Sequence, residues 1–180
     1  MAKKNKKNTL PPVGNIYLAG FMCAGKTSAG RALARLLGRP FRDCDALVEK
    51  ETGKTVAELV TEKGLAGFRR LEAARVRALA SSGGQVIALG GGVYPSRKWK
   101  GLLGRDGLTV FLNCPWPELA GRLKKAAGPR PLLAGPWERT AIRAKKLYNR
   151  RLPFYRRADI TLNTAGLSPK KIAGLCRRKI

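Results

Sequence analysis

The stretch GFMCAGKT, residues 20–27, sets Gly20, Gly25, Lys26 and Thr27 at the spacing G-x-x-x-x-G-K-T. It follows an apolar run, NIYLA at residues 15–19, and precedes a helical pattern that continues to Leu37. Few stretches this short constrain a fold so tightly. The N–H groups of such a loop can wrap a phosphate where a buried strand delivers the loop and a helix N-terminus adds its positive dipole end. The context predicts a parallel α/β sheet with a nucleoside triphosphate beyond its first strand. Cys23, Ala24, Gly25, Lys26, Thr27 and Ser28 are the candidate nucleotide contacts. Lys26 would reach the β/γ oxygens, and the Thr27 hydroxyl would ligate Mg²⁺. Cys23 stands where such loops often carry glycine; with its backbone at negative φ, its side chain is expected to point outward.

The rest of the chain alternates short apolar runs with helical patterns, as βαβ units do. PFRDCD (40–45), QVIAL (85–89), LTVFLN (108–113) and ADITLN (158–163) read as strands two to five. Helices are expected up to residue 52, from the capping box TVAE at 55–58, and over about 65–82. Others are expected near 117–127, from about 138 to 151 ahead of Pro153, and after Ser168 and Pro169. No repeat or linker interrupts this order. One doubly wound domain over residues 14–180 is expected, behind a basic, disordered tail at 1–13.

Composition narrows the chemistry. The chain has 180 residues and no histidine, so Ser-His and Cys-His nucleophile pairs are excluded. Its four cysteines, Cys23, Cys44, Cys114 and Cys176, form no CxxC pair, which points away from zinc and from a disulfide framework. Acid–base work therefore falls to carboxylates, Lys, Arg, Cys or Tyr. No apolar run approaches the roughly 20 residues of a membrane span, and MAKKNKKN lacks the apolar stretch of a secretory signal. A cytoplasmic location is expected. The formal net charge is +26, densest from Leu119 to Ala158, where twelve Lys/Arg meet one acid, Glu138. Such a field attracts polyanions without specificity. No basic motif interleaved with aromatics appears, which favours a generically basic surface.

Several polar motifs bear on where the phosphate goes. Asp43 and Asp45, two apart at the end of the second expected strand, would share its crevice-facing side. One suits Mg²⁺ through water and the other a hydroxyl acceptor; Asp45 is also a candidate N-cap for the following helix. GFRRLE carries Arg69 and Arg70, and LGGG puts Gly90, Gly91 and Gly92 directly after a strand, where bare backbone admits a small ligand. GPRPLLAGP, residues 128–136, holds the cation Arg130 in a Gly/Pro-rich segment that reads as a lid. Arg151 ends the long helix beside that crevice. Two carboxylates and these arginines suit an anionic, hydroxylated small molecule. Cys23 and Cys44 would flank the nucleotide in an electropositive setting that favours thiolate.

Taken together, GFMCAGKT, DCD, FRRLE, LGGG, RPLL and RLPFYRR, in this order from about Asn15 to Ile180, resemble the shikimate kinases. The resemblance implies the nucleoside monophosphate kinase-like P-loop fold: three layers, a five-stranded parallel sheet of order 2-3-1-4-5, flanking helices and a lid loop. It implies ATP- and Mg²⁺-dependent phosphorylation of the 3-hydroxyl of shikimate, in the pathway to the aromatic amino acids, by a monomer. By motif, Asp45 would hold the ring hydroxyls and act as base, Arg69 and Arg151 would pair the shikimate carboxylate, and Gly91 would lie close to the ring. Lys26 and Arg130 would serve the ATP phosphates, Thr27 and Asp43 the metal, Arg122 the base, and residues 163–169 the adenine pocket. Two rival readings stay open: a kinase of another hydroxy acid such as gluconate, and a basic P-loop protein that binds nucleic acid.

Overall fold

The structure, a computed structural model, describes residues 14–93, 97–105, 107–126 and 135–180. The expected tail at 1–13 and most of the expected lid, Arg130 included, lie outside the described residues. Five parallel strands form one sheet of order β2-β3-β1-β4-β5, as expected. They are β1 (Asn15–Ala19), β2 (Phe41–Asp43), β3 (Val86–Ala88), β4 (Gly107–Asn113) and β5 (Ile160–Asn163). The helices are α1 (Lys26–Leu37), α2 (Cys44–Thr52), α3 (Val56–Ala80), α4 (Arg97–Leu103), α5 (Trp116–Lys125), α6 (Trp137–Tyr155) and α7 (Pro169–Lys179).

Strand parity builds two apolar layers. In β1, Ile16 and Leu18 point into a core shared with Leu33 of α1 and Ile172 of α7. Tyr17 and Ala19 point into the opposite core, with Val76 of α3, Leu103 of α4, Leu119 of α5 and Tyr148 of α6. A strand covered on both faces is apolar throughout rather than alternating, and all five residues of β1 are buried. Its one polar member, Asn15, is satisfied: Nδ2 donates to Tyr17 Oη and the Leu79 carbonyl, while Oδ1 accepts from Gln85 N–H at 2.9 Å.

A third cluster, Val48, Leu59 and Phe68, pins α2 to α3. Each buried side chain of this kind is worth about 1.5–3 kcal/mol, so the cluster fixes the helices that carry Asp45 and Arg69. The capping box forms as expected, with Thr55 Oγ1 accepting from Glu58 N–H and Glu58 Oε2 accepting from Thr55 N–H. α3 breaks at Gly64 (φ 67°), so the two helices expected there meet at a kink.

Three expectations change. The second strand stops at Asp43, and Cys44 and Asp45 belong to α2. The N-cap is Asp43, whose Oδ1 accepts from the N–H groups of Asp45 and Ala46, and not Asp45. α6 continues through Pro153 to Tyr155; a proline near a helix end forfeits one hydrogen bond, while buried Tyr155 anchors the last turn. α4 has no expected counterpart, because seven residues with Trp99 and Leu103 buried carry too little periodicity to mark a helix.

Candidate active site

The parallel strands all end on one edge, and the loops leaving that edge form a cavity of about 730 Å³. In open α/β sheets ligands bind outside the carboxyl ends of the strands. The phosphate loop connects β1 to α1, with Gly25 (φ 90°) as the residue before the helix. Lys26 lies along the loop, its Nζ donating to the carbonyls of Gly20 and Phe21 at 3.0 Å each. Thr27 Oγ1 donates to Asp43 Oδ2 at 2.6 Å. Asp43 thus caps α2 with one oxygen and holds the loop hydroxyl with the other. Hydroxyl and carboxylate oxygens beside a phosphate loop are the hard donors that Mg²⁺ takes, so this pair fits that ion.

Cys23 departs from its expected geometry. Its φ is 61°, the left-handed conformation that glycine adopts without strain, so the loop keeps its path and the cysteine bears the cost. Cys23→Gly should stabilise the fold by about 0.5–1 kcal/mol, since the αL penalty of roughly 1–2 kcal/mol outweighs the glycine's extra unfolded-state entropy. A rise of about 1–4 °C in Tm in a thermal melt is the expected reading.

Cys44 also departs from expectation. It is fully buried, and burial, followed by the charges of Asp45 and Asp43, pushes its thiol well up, so it is not a thiolate. Alkylation should therefore act through Cys23 alone. Iodoacetamide is expected to inactivate the protein by modifying Cys23, with Mg-ATP protecting it. Peptide mass mapping reads the site; label on Cys44 before unfolding, or full activity with Cys23 labelled, would contradict this.

Across the cavity, Asp45 in the first turn of α2 faces Arg69 and Glu72 of α3 and Arg151 of α6. The i, i+2 strand argument for the acid pair does not hold, because Asp45 is helical, yet both carboxylates line the same cavity. Arg69 Nη1 is ion-paired to Glu72 Oε2, and Glu72 is 1% exposed. Burial raises the Asp45 carboxyl above its usual range; Lys26 opposes the shift and Asp43 adds to it. Glu72 is raised in the same way, with Arg69 opposing. Among the described residues, neither Asp45 Oδ1 nor Glu72 Oε1 accepts a hydrogen bond, although both are buried. A buried oxygen left unpaired is costly, about 1–3 kcal/mol, and marks where a ligand hydroxyl can settle.

The three glycines each meet a different partner. A methyl on Gly90 would overlap Glu72 Oε1 and come within 2.6 Å of Asp45 Oδ1. One on Gly92 would overlap the Arg69 guanidinium. The Gly91 carbonyl accepts from Arg151 Nη1 at 2.9 Å and from Tyr155 Oη. Burial lowers the Arg151 pKa, and Tyr155, pushed up to about 12 by burial, stays a neutral donor. Glu72 and Tyr155 lie within FRRLE and RLPFYRR, and neither carries an expected role. Their spacing from Arg69 and Arg151, three and four residues along a helix, was the signal that both share those arginines' face.

Arg122, on α5, lies over the phosphate loop, with Nη1 donating to the Cys23 carbonyl at 3.2 Å. It pairs with Glu118 at 2.5 Å, and Glu118 Oε2 accepts from Gly166 N–H at 3.0 Å. The pair ties the phosphate loop to the loop after β5. The site thus brings together Lys26, Thr27, Asp43, Asp45, Arg69, Gly91 and Arg151 around one cavity, with Arg122 over the phosphate loop.

The family model for shikimate kinase matches residues 22–180. The chain belongs to the shikimate kinase family. The shikimate kinase of Symbiobacterium thermophilum is 43% identical over 145 residues, covering 80% of this chain and 82% of the relative. The solved shikimate kinase of Acinetobacter baumannii, in complex with shikimate, superposes with a TM-score of 0.86 at 34% identity, covering 92% of each chain. A gluconokinase from Sinorhizobium meliloti shares the fold at a TM-score of 0.59 and 21% identity, covering 95% of each chain. As a family member the protein is a kinase that phosphorylates a hydroxyl group.

Proposed function

We propose that this protein transfers the γ-phosphoryl group of ATP to the 3-hydroxyl of shikimate, as a cytoplasmic, Mg²⁺-dependent monomer. The observation that carries the acceptor assignment is the meeting of an unbonded Asp45 oxygen with the Arg69 and Arg151 guanidiniums in the phosphate-loop cavity. Two arginines hold one carboxylate with fixed geometry, and Asp45 receives the proton of the attacking hydroxyl. Lys26 and Arg130 meet the charge that builds on the transferring group; the role of Arg130 rests on its place in the RPLL motif. Mg²⁺, held by Thr27 and through water by Asp43, would neutralise the β- and γ-oxygens. The loop amides orient the triphosphate, and Arg122 packs on the nucleotide side. Phosphoryl transfer asks chiefly for such positioning and charge. Among the described residues no helix is long and apolar enough to cross a membrane, in keeping with the proposed location.

The test is ADP release from Mg-ATP with shikimate, quinate and gluconate measured side by side. Turnover with shikimate alone is expected. Equal turnover with gluconate would favour the other hydroxy-acid kinases. ATP binding without turnover on any acceptor would overturn the proposal.

A further inference from the structure

We infer that the outer face of α6 is a binding surface for the phosphodiester backbone of nucleic acid, separate from the kinase site. Arg139, Arg143, Lys146 and Arg150 recur at steps of four, three and four residues, so they share one stripe of the helix. All four are exposed. The opposite stripe, Ala144, Tyr148 and Tyr155, is buried in the core, and buried Thr140 at its edge accepts from Arg143 Nη2 at 3.2 Å. Each turn of about 5.4 Å thus presents at least one cation from Arg139 to Arg150. Glu138 is the only acid between Leu119 and Ala158. Salt bridges among the described residues lie on α2, α3 and the turn joining them, and at the Glu118–Arg122 pair of α5.

The charge pattern selects the partner. A nucleic-acid strand carries one phosphate per roughly 3.4 Å of helix axis, so its dense and continuous negative charge gives every cation of the row a phosphate within reach. An acidic protein would need an equally regular row of carboxylates, which a folded surface seldom offers. Insertion into a membrane needs an apolar face on the exposed side, and Ile142 is the one large exposed hydrophobic side chain that α6 offers. The residues of the stripe from Arg139 to Arg150 include no aromatic side chain, so recognition is of the backbone and independent of sequence. Arg151 and Tyr155 project from the other side of the same helix into the kinase cavity. Nucleic acid on the stripe therefore leaves the acceptor site open.

The experiment follows a fluorescein-labelled random-sequence DNA duplex by anisotropy across a salt series, with Mg-ATP saturating the phosphate loop. The variant with Gln at Arg139, Arg143, Lys146 and Arg150 should bind at least tenfold more weakly at low salt. The slope of log K against log salt should fall by about 3–4, near 0.9 for each lost contact. A matched variant with Gln at Lys170, Lys171, Arg177 and Arg178 of α7 should change less than half as much. Unchanged Tm in both variants shows that they are folded, and unchanged turnover shows that the surface is separate from the active site. Equal loss in the two variants would assign binding to net charge and overturn the inference. So would the absence of binding, or displacement of the duplex by polyglutamate as readily as by unlabelled DNA.

Discussion

Asp45→Asn should bind Mg-ATP with unchanged affinity and turn over shikimate about 10³-fold more slowly, within the range that removal of a positioned general base gives. Asparagine keeps the size and the hydrogen-bonding oxygen, so the ring hydroxyls still have a partner, but it accepts no proton. Isothermal titration with a non-hydrolysable ATP analogue and a coupled ADP assay separate the two quantities. Wild-type turnover in the variant would remove the base from the mechanism. The pH profile supplies an independent check. Burial raises the Asp45 carboxyl, so the base protonates, and activity falls, at a higher pH than the ordinary value near 4 allows. The acid limb of kcat/KM should lie above that value and be absent from the residual activity of the variant. Stability runs the other way. A carboxyl with a raised folded-state pKa favours the fold below its unfolded pKa and loses that contribution as pH rises through the folded one. At neutral pH the asparagine variant should therefore melt no lower than the wild type, so lost turnover is not lost folding.

The parallel α/β class and the phosphate loop were legible because local rules and global topology agree at β1, where an apolar strand, a glycine-spaced loop and a helix start follow one another; the strand order came only with the family resemblance. Thr55, Glu58 and Ser168 were legible for the same reason, since caps are written in adjacent residues. Asp45 shows where the sequence stops being enough. Its approach to Arg69 depends on a helix that begins at Cys44, and DCD carries no signal to separate the last strand residue from the first helical one. Cys23 shows the same from another side: a loop path fixed by its neighbours overrides the preference of the residue within it. Glu72 stands within FRRLE, but burial gives it its importance, and burial is set by the packing of α3 against α2 and the glycine loop after β3 rather than by nearby residues. Arg130 sits within a Gly/Pro-rich stretch outside the described residues, and its part rests on the motif alone.

Gly90→Ala should lower kcat about 10²-fold, the scale on which displacing a catalytic group by an ångström acts. The reason is local crowding. The added methyl would overlap Glu72 Oε1 and press within 2.6 Å of Asp45 Oδ1. Glu72 cannot swing into water, because it is buried and held by Arg69. The strain therefore passes to Asp45 and Arg69, the proposed base and one of the two carboxylate holders. ATP affinity should change little, since the phosphate loop lies on β1, and overpacking should cost about 1–3 kcal/mol of stability. Gly91→Ala makes the contrast. Its methyl would find Arg151 Nη1 at 3.6 Å and the Met22 N–H nitrogen at 3.7 Å, ordinary contacts that the protein tolerates. That methyl would instead stand in space the acceptor uses, so KM for shikimate should rise while Tm holds. Steady-state kinetics and thermal melts on the two variants read both outcomes. If Gly90→Ala kept full kcat, Glu72 and the backbone at Gly90 would have no part in placing Asp45, and the position of the base would have to rest on α2 and Arg69 alone.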